Sequence, residues 1–286
     1  MQKEKFCSIG IDVGGTKMRA VLFDGKKILA EDTLGTPQDS VSHFLIMLSA
    51  LIDPMIKKAN QEKIKIKGIG IGIPGLINFD KKTIIKVPNI PMLNGANLEK
   101  SLEEKFAVPI KTDNDTNCFL RAEMREGSGK KYQNAFGLTI GTGIGGAWWF
   151  NEKIYQGAHF GAGEPGHNIV NFDNPITLEE TYKKLSQGNP IKIADDAYRG
   201  EAVPQKIYEE IGKYLGIAMA NIVNLIDPEI FIIGGGVSDS EDLFFPQMKK
   251  SINQYIMNAE AKNKIKVVKG KLGQEAGAIG AALLIE

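Results

Sequence analysis

Residues 12–17, Asp-Val-Gly-Gly-Thr-Lys, join the apolar run 6–11 to a second strand-like stretch at 18–23. A buried strand thus enters a tight turn that also carries a carboxylate, a hydroxyl and an ammonium group. Glycines at such a turn let backbone N–H groups close on a polyanion, and Thr16 and Lys17 add a donor and a positive charge. Asp12, at the strand end, is placed to hold a metal ion or its water shell. The chain uses the device again. Residues 136–146 read Phe-Gly-Leu-Thr-Ile-Gly-Thr-Gly-Ile-Gly-Gly and return as Ala147-Trp148-Trp149-Phe150. Two strand–glycine-turn–strand units, one early and one mid-chain, suggest two related halves serving one phosphate chain.

Neither turn fits the commoner nucleotide signatures. Gly-x-x-x-x-Gly-Lys-Ser/Thr is absent, which excludes a P-loop. Residues 141–146 look like Gly-x-Gly-x-x-Gly, but apolar and aromatic strand residues follow where the dinucleotide fingerprint needs a helix. That argues against a Rossmann dehydrogenase.

The surrounding pattern is α/β. Strands are expected at 6–12, 17–23, 27–33, 66–73, 108–111 and 229–233. Helices with an apolar stripe are expected at 40–59, with Pro54 kinking or ending it, and at 202–225, and a short helix at 98–106. In the helix at 202–225, Gly212 and Gly216 would admit another element closely. The strand at 66–73 ends in Pro74-Gly75, and strand ends of open α/β sheets are where ligands bind. Residues 112–117 are dense in cap-forming types ahead of the helical pattern 118–124, and the domain boundary is placed there. The expected organisation is a small α/β domain over 1–112 and a large one over 113–273. The small-residue segment 274–286 would form a helix packing back on the first domain.

With 286 residues, 43% of them hydrophobic, the chain can build one large domain or two ordinary ones. Its 35 Lys and Arg nearly balance 34 Asp and Glu, so no nucleic-acid or membrane partner is expected. No apolar run reaches the length of a spanning helix, and the N-terminus leads directly into a core strand. A cytoplasmic protein without a signal peptide is expected. Cys7 and Cys118 read as small buried hydrophobes rather than a disulfide.

The order DxGGTK, then Asn-Asp-Thr-Asn at 114–117, then GTGIGG, then a strand ending in Gly234-Gly235-Gly236 resembles the sugar kinases of the actin-like ATPase superfamily. Over nearly the whole chain it is most similar to the ROK family of glucokinases and related hexose kinases. The resemblance implies an actin-like (ribonuclease H-like) fold of two α/β domains around a cleft. It assigns the ATP phosphates to Gly14, Gly15, Thr16 and Lys17 and to Gly141, Thr142 and Gly143, and the adenosine side to Gly234–Gly236. It implies Mg²⁺ steered by Asp12 through water. Asn114-Asp115 matches the family's Asn-Asp, whose carboxylate takes the proton from the attacking sugar hydroxyl. An alcohol is a poor nucleophile at neutral pH, and such a base contributes ~10²–10⁴ in rate. The competing use of this run is a helix cap, but only one residue can occupy the cap.

Residues 161–167, Gly-Ala-Gly-Glu-Pro-Gly-His, resemble the family's Gly-x-Ala-Gly-Glu-x-Gly-His, implying that Glu164 and His167 bind sugar hydroxyls. Gly75, Asn89 and Asn114 complete the expected sugar set with a final glutamate, Glu179 or Glu180, of which Glu179 is favoured. The chain departs from the family after His167. The Cys-rich element that holds a structural zinc there is missing, since 168–188 contain no cysteine. No zinc is expected, with Pro175 and local packing fixing the loop instead. A second departure is Ala147-Trp148-Trp149, where small residues are usual; core filling is expected of both indoles.

The expected activity is ATP-dependent phosphorylation of glucose at its 6-hydroxyl by a homodimer. The absence of the fructokinase-like His-Pro-Glu-Met-Gly-His points to an aldohexose. N-acetylmannosamine, N-acetylglucosamine, allose and fructose are the alternative substrates, and a non-catalytic sugar sensor is the alternative role. A DNA-binding repressor of the same family is disfavoured, because five residues precede Phe6 and the net charge is only +1.

Overall fold

The computed structural model describes residues 4–171, 173 and 175–285, and the chain divides into two compact α/β units. Unit 1 comprises Met1–Glu126, Gly157–Gly161 and Glu275–Glu286; unit 2 comprises Gly127–Gln156 and Ala162–Gln274.

In unit 1, β1 (Phe6–Val13), β2 (Lys17–Phe23) and β3 (Ile28–Gly35) form an antiparallel meander, followed by α1 (Val41–Gln61) and β4 (Lys65–Ile73). A small hairpin, β5 (Leu76–Asn78) and β6 (Thr83–Lys86), precedes α2 (Leu98–Phe106), β7 (Ile110–Asn114) and α3 (Asp115–Arg125). The sheet order is β3-β2-β1-β4-β7, with β4 parallel to β1 and β7 parallel to β4. β1 and β4 are buried on both faces and accordingly read as nearly continuous apolar and glycine runs. α1 covers one face with Phe44, Leu48, Leu51, Ile52 and Met55. Pro54 neither ends nor interrupts α1, which runs on to Gln61.

Unit 2 repeats the strand plan. Here β8 (Asn134–Ile140), β9 (Ile144–Phe150) and β10 (Lys153–Ile154) make the antiparallel part. Next come a two-strand turn, β11 (Ile169–Asn171) and β12 (Ile176–Thr177), and three helices: α4 (Leu178–Ser186), α5 (Pro190–Tyr198) and α6 (Ala202–Ile226). β13 (Ile230–Gly234), α7 (Glu241–Tyr255), α8 (Ala259–Lys264) and β14 (Lys266–Lys269) complete the order β10-β9-β8-β13-β14, with β13 and β14 parallel to β8. α6 meets α7 at Gly212 and Gly216, where a Cβ would lie 2.4 Å from the carbonyl oxygens of Phe244 and Met248. Any side chain there would push the two helices apart.

The expected boundary at 113 is corrected. β7 pairs with β4 from Ile110 to Asn114, and α3 packs against α9 (Ala276–Ala282), so both belong to unit 1. The division falls after Glu126. α9, built only of Ala, Gly and Ile, also lies against β1 and β4. Trp149 fills the core, whereas Trp148 is half-buried between Phe150 and Tyr155 and donates its indole N–H to Asn134 Oδ1 at 2.8 Å. Among the described residues, no helix is long and apolar enough to cross a membrane.

Candidate active site

The first glycine turn is the tip of the β1–β2 hairpin. Val13 faces Met18 in the ladder, and the Gly14 N–H donates to Lys17 O at 2.9 Å, which closes the turn. Thr16 and Lys17 are exposed at the tip, and Asn89 is brought beside it, its Cβ 3.3 Å from where a Gly15 Cβ would stand.

Asp12 and the Asp113–Asp115 run come together through strand register. Asp12 pairs with Gly72 in β4, and Gly72 pairs with Asp113 in β7, so the carboxyl ends of three parallel strands lie side by side. The middle strand presents a glycine, leaving no side chain between the two acidic ends. Ligands of open α/β sheets bind at such ends. Burial and the Asp115 charge push the Asp12 carboxyl up to about 7, against the pull of Arg19 and Lys17. At Gly277, on α9, a Cβ would lie 2.6 Å from the Asp12 carboxyl carbon, so a larger residue there would displace the acid.

The polar run divides its labour. Asn114 is the N-cap of α3, its Oδ1 accepting from the N–H groups of Thr116 (2.8 Å) and Asn117 (3.1 Å). Its Nδ2 donates to Gly75 O at 3.0 Å, so the side-chain oxygen serves the helix and the amide nitrogen the Gly75 turn. Gly75 adopts φ +97°, and a Cβ there would overlap Lys86 O at 2.0 Å; only glycine fits. Asp113 is sequestered with 1% of its surface exposed, accepting from the Asn114 N–H, Asn117 Nδ2 and Arg121. Asp115, one residue inside the helix, has more local partners, its own backbone and Thr116. Burial raises its carboxyl above the usual range, opposed by those hydrogen bonds and assisted by the Asp113 charge. A carboxylate of raised proton affinity is a better base at neutral pH.

In unit 2, Gly141–Gly143 form the tip of the β8–β9 hairpin, closed by the Gly141 N–H donating to Gly143 O at 3.0 Å. Gly234, at the end of β13, pairs with Thr139, which sets the triple-glycine turn beside that hairpin. Gly235 (φ +82°) packs against Ile140, and Gly236 opens a short 3₁₀ turn. The loop of Glu164 and His167 packs on β9, with Gly163 O and Pro165 against Gly146. Glu164 precedes a 3₁₀ turn that ends at the exposed His167.

The adjacent acids of α4 also part ways. Glu180 completes a capping box with Thr177. Glu179 instead accepts from the Ile144 N–H at 3.0 Å and from Lys183, directly beneath the second glycine turn. Burial works against its ionisation, yet these bonds hold its carboxyl below the ordinary range, with help from the His167 charge. Between His167 and α4, the Leu178 N–H donates to Asn168 O at 2.8 Å, and Pro175 is exposed rather than packed. Phe172 and Asn174 of that loop lie outside the described residues. Among the described residues, no three His, Cys, Asp or Glu side chains are grouped to hold a metal.

Asp115 therefore shares a unit with Asp12, Gly14–Lys17, Gly75, Asn89 and Asn114. It does not share one with Gly141–Gly143, Glu164 and His167, as the boundary at 113 implied. Tyr182 went unread in the sequence: its hydroxyl donates to Gly141 O at 2.6 Å. A buried Tyr at helical spacing carries no signal that separates such a bond from core filling.

The ROK family profile matches residues 8–178 and 176–286. The N-acetyl-D-glucosamine kinase of Vibrio parahaemolyticus is 30% identical over 96% of this chain and 98% of its own length. The xylose repressor of Caldicellulosiruptor bescii is 29% identical over 97% of this chain and 77% of that protein. Among solved structures, the ROK family glucokinase of Streptomyces griseus, in complex with glucose and AMPPNP, superimposes with a TM-score of 0.81. It is 25% identical, over 97% of this chain and 98% of that one. Paired glycine-tipped hairpins, an acid at the first turn of α3 and this end-to-end likeness agree: the chain belongs to the ROK family.

Proposed function

We propose that this protein is an ATP-dependent sugar kinase that transfers the γ-phosphoryl group to the 6-hydroxyl of a hexose, glucose being the foremost candidate. The observation that supports it most is the register Asp12–Gly72–Asp113, which sets Asp12 and the start of α3 with Asp115 on either side of a glycine in the intervening strand, beside a glycine turn carrying Lys17. The sugar O6 attacks the γ-phosphorus as the bond to the ADP oxygen breaks, and Asp115 takes the hydroxyl proton. Lys17 and the backbone N–H groups of the first glycine turn balance the phosphate charge. Gly141, Thr142 and Gly143 serve the phosphates, and Gly234–Gly236 the adenosine side. Gly75, Asn89, Asn114 (through Nδ2), Glu164, His167 and Glu179 serve the sugar.

The carboxylates present fit a magnesium ion delivered with the nucleotide. Such an ion keeps several waters and needs only one or two protein carboxylates besides the substrate phosphates. Asp12, whose charge is disfavoured beside Asp115, would hold it through water. When bound, the ion would neutralise charge on the phosphate oxygens.

The 30% identity to the Vibrio parahaemolyticus enzyme favours N-acetylglucosamine as the second reading. An ADP-release assay over glucose, N-acetylglucosamine, N-acetylmannosamine, allose and fructose separates the two. Glucose should give the highest kcat/KM. A clear preference for an N-acetylhexosamine replaces the sugar assignment. Sugar binding without ADP release from any of them overturns the kinase and leaves a sensor. Light scattering on the purified protein tests the homodimer.

A further inference from the structure

The connector after β3 reaches back to the first glycine turn and engages three consecutive carbonyl oxygens. Thr36 Oγ1 donates to Gly14 O at 2.7 Å, Gln38 Nε2 to Gly15 O at 2.7 Å, and the Thr36 N–H to Thr16 O at 3.0 Å. Thr36 is buried, whereas Gln38 lies on the surface, with its amide also 3.5 Å from Thr36 O. No peptide bond of the described chain is cis. In a planar trans peptide the C=O of one residue and the N–H of the next point in opposite directions. Holding the carbonyls of Gly14, Gly15 and Thr16 on the 36–38 segment therefore turns the N–H groups of Gly15, Thr16 and Lys17 away from it. Successive N–H groups on one side of a turn make an anion-binding concavity. A carbonyl free to rotate onto that side would bring a lone pair against the anion.

We propose that Thr36 and Gln38 are positioning residues for the nucleotide phosphates. They clamp the Gly14 and Gly15 carbonyls so that the N–H groups of the first glycine turn face the phosphate chain. This rests on the ATP-dependent kinase reading. Neither residue belongs to the DxGGTK motif, and a surface glutamine some twenty residues downstream would ordinarily be replaceable without consequence.

The test is calorimetric binding of Mg–AMPPNP and of adenosine to wild type, Gln38→Ala, Thr36→Val and Thr36→Ser, together with KM for ATP and for the sugar. Gln38→Ala should weaken Mg–AMPPNP binding and raise KM for ATP by about 3- to 10-fold, the usual worth of one hydrogen bond. Adenosine affinity and sugar KM should stay within about twofold, since neither ligand presents phosphates to the turn. Thr36→Val should show the same split, and Thr36→Ser, which keeps the hydroxyl, should restore wild-type values. If Thr36→Val does not fold, Gln38→Ala decides alone. Wild-type affinity for Mg–AMPPNP in Gln38→Ala, or an equal loss for adenosine and sugar, overturns the positioning role and leaves the kinase reading standing. A wild-type protein that does not bind Mg–AMPPNP overturns the kinase reading and this proposal with it.

Discussion

Arg121 Nη2 donates to Asp113 Oδ2 at 2.7 Å, with side-chain exposures of 16% and 2%. One turn of α3 and the end of β7 are thereby locked together through a nearly dry ion pair. Asp113 is committed to architecture, which leaves Asp115, two residues on, and Asp12 as the acids of the strand-end site.

Asp115→Asn keeps the shape and the local hydrogen bonds while removing the proton acceptor. Its kcat should fall by ~10²–10⁴ with KM for ATP and sugar less affected. A variant that retains more than about a tenth of wild-type kcat would falsify the general-base assignment.

Asp113→Asn should behave in the opposite way. Removing one partner of a buried pair leaves Arg121 uncompensated, a change that costs about 3–5 kcal/mol. Urea unfolding should show the midpoint falling sharply. Asp115→Asn should not share that loss, and equal midpoints for the two variants would contradict the division of roles.

Asp12 carries a pH signature. Its folded carboxyl lies near 7 against an ordinary value of 3.8, so the folded state holds a proton that the unfolded chain releases. With the affinity raised on folding, its contribution is fully present below about pH 4 and is lost as pH climbs through 7. Without nucleotide, Asp12→Asn should match wild type in Tm at pH 4 and exceed it at pH 8. The gap should be on the order of a few kcal/mol, or several degrees. A Tm difference that does not grow with pH rejects this reading.

Glu179→Ala and Glu180→Ala separate the two acids of α4. Loss of Glu180 removes one half of a capping box and should lower Tm slightly while sparing catalysis. Loss of Glu179 frees the Ile144 N–H beneath the second glycine turn and should change KM for sugar or ATP more than Tm. Interchangeable kinetic effects would show that the helix start, not the individual carboxylate, matters.

Both cysteines are buried, and burial, first among the causes, pushes the Cys7 thiol up to about 11 and raises Cys118 well above its usual value. Thiolate is the reactive form. At pH 8 a thiol-specific reagent should modify neither in the folded protein and both after denaturation. Rapid labelling of the native chain would mean that one of these sites opens readily.

What the sequence determined by itself is local. The two glycine turns, the strands that flank them, the stripes of α1 and α6 and the cap before α3 rest on period and turn chemistry over a few residues, and these were legible. Pro54 does not end α1, because removing one N–H is tolerated when the rest of the helix buries a full apolar face.

Only the tertiary structure decided which residues meet. Asp115 joins Asp12 because β7 pairs with β4, an association between segments some forty residues apart that no local pattern encodes. Glu179 and Glu180 are identical in type and adjacent. Successive helical residues point about 100° apart, so the turn beneath one and the cap beside the other assign their tasks. Thr36, Gln38 and Tyr182 reach their glycine turns through side-chain bonds to carbonyls 14, 15 and 141. Every residue offers a carbonyl, so nothing in the amino-acid order singles out those that a distant side chain will hold; the packing of β3 and α4 does.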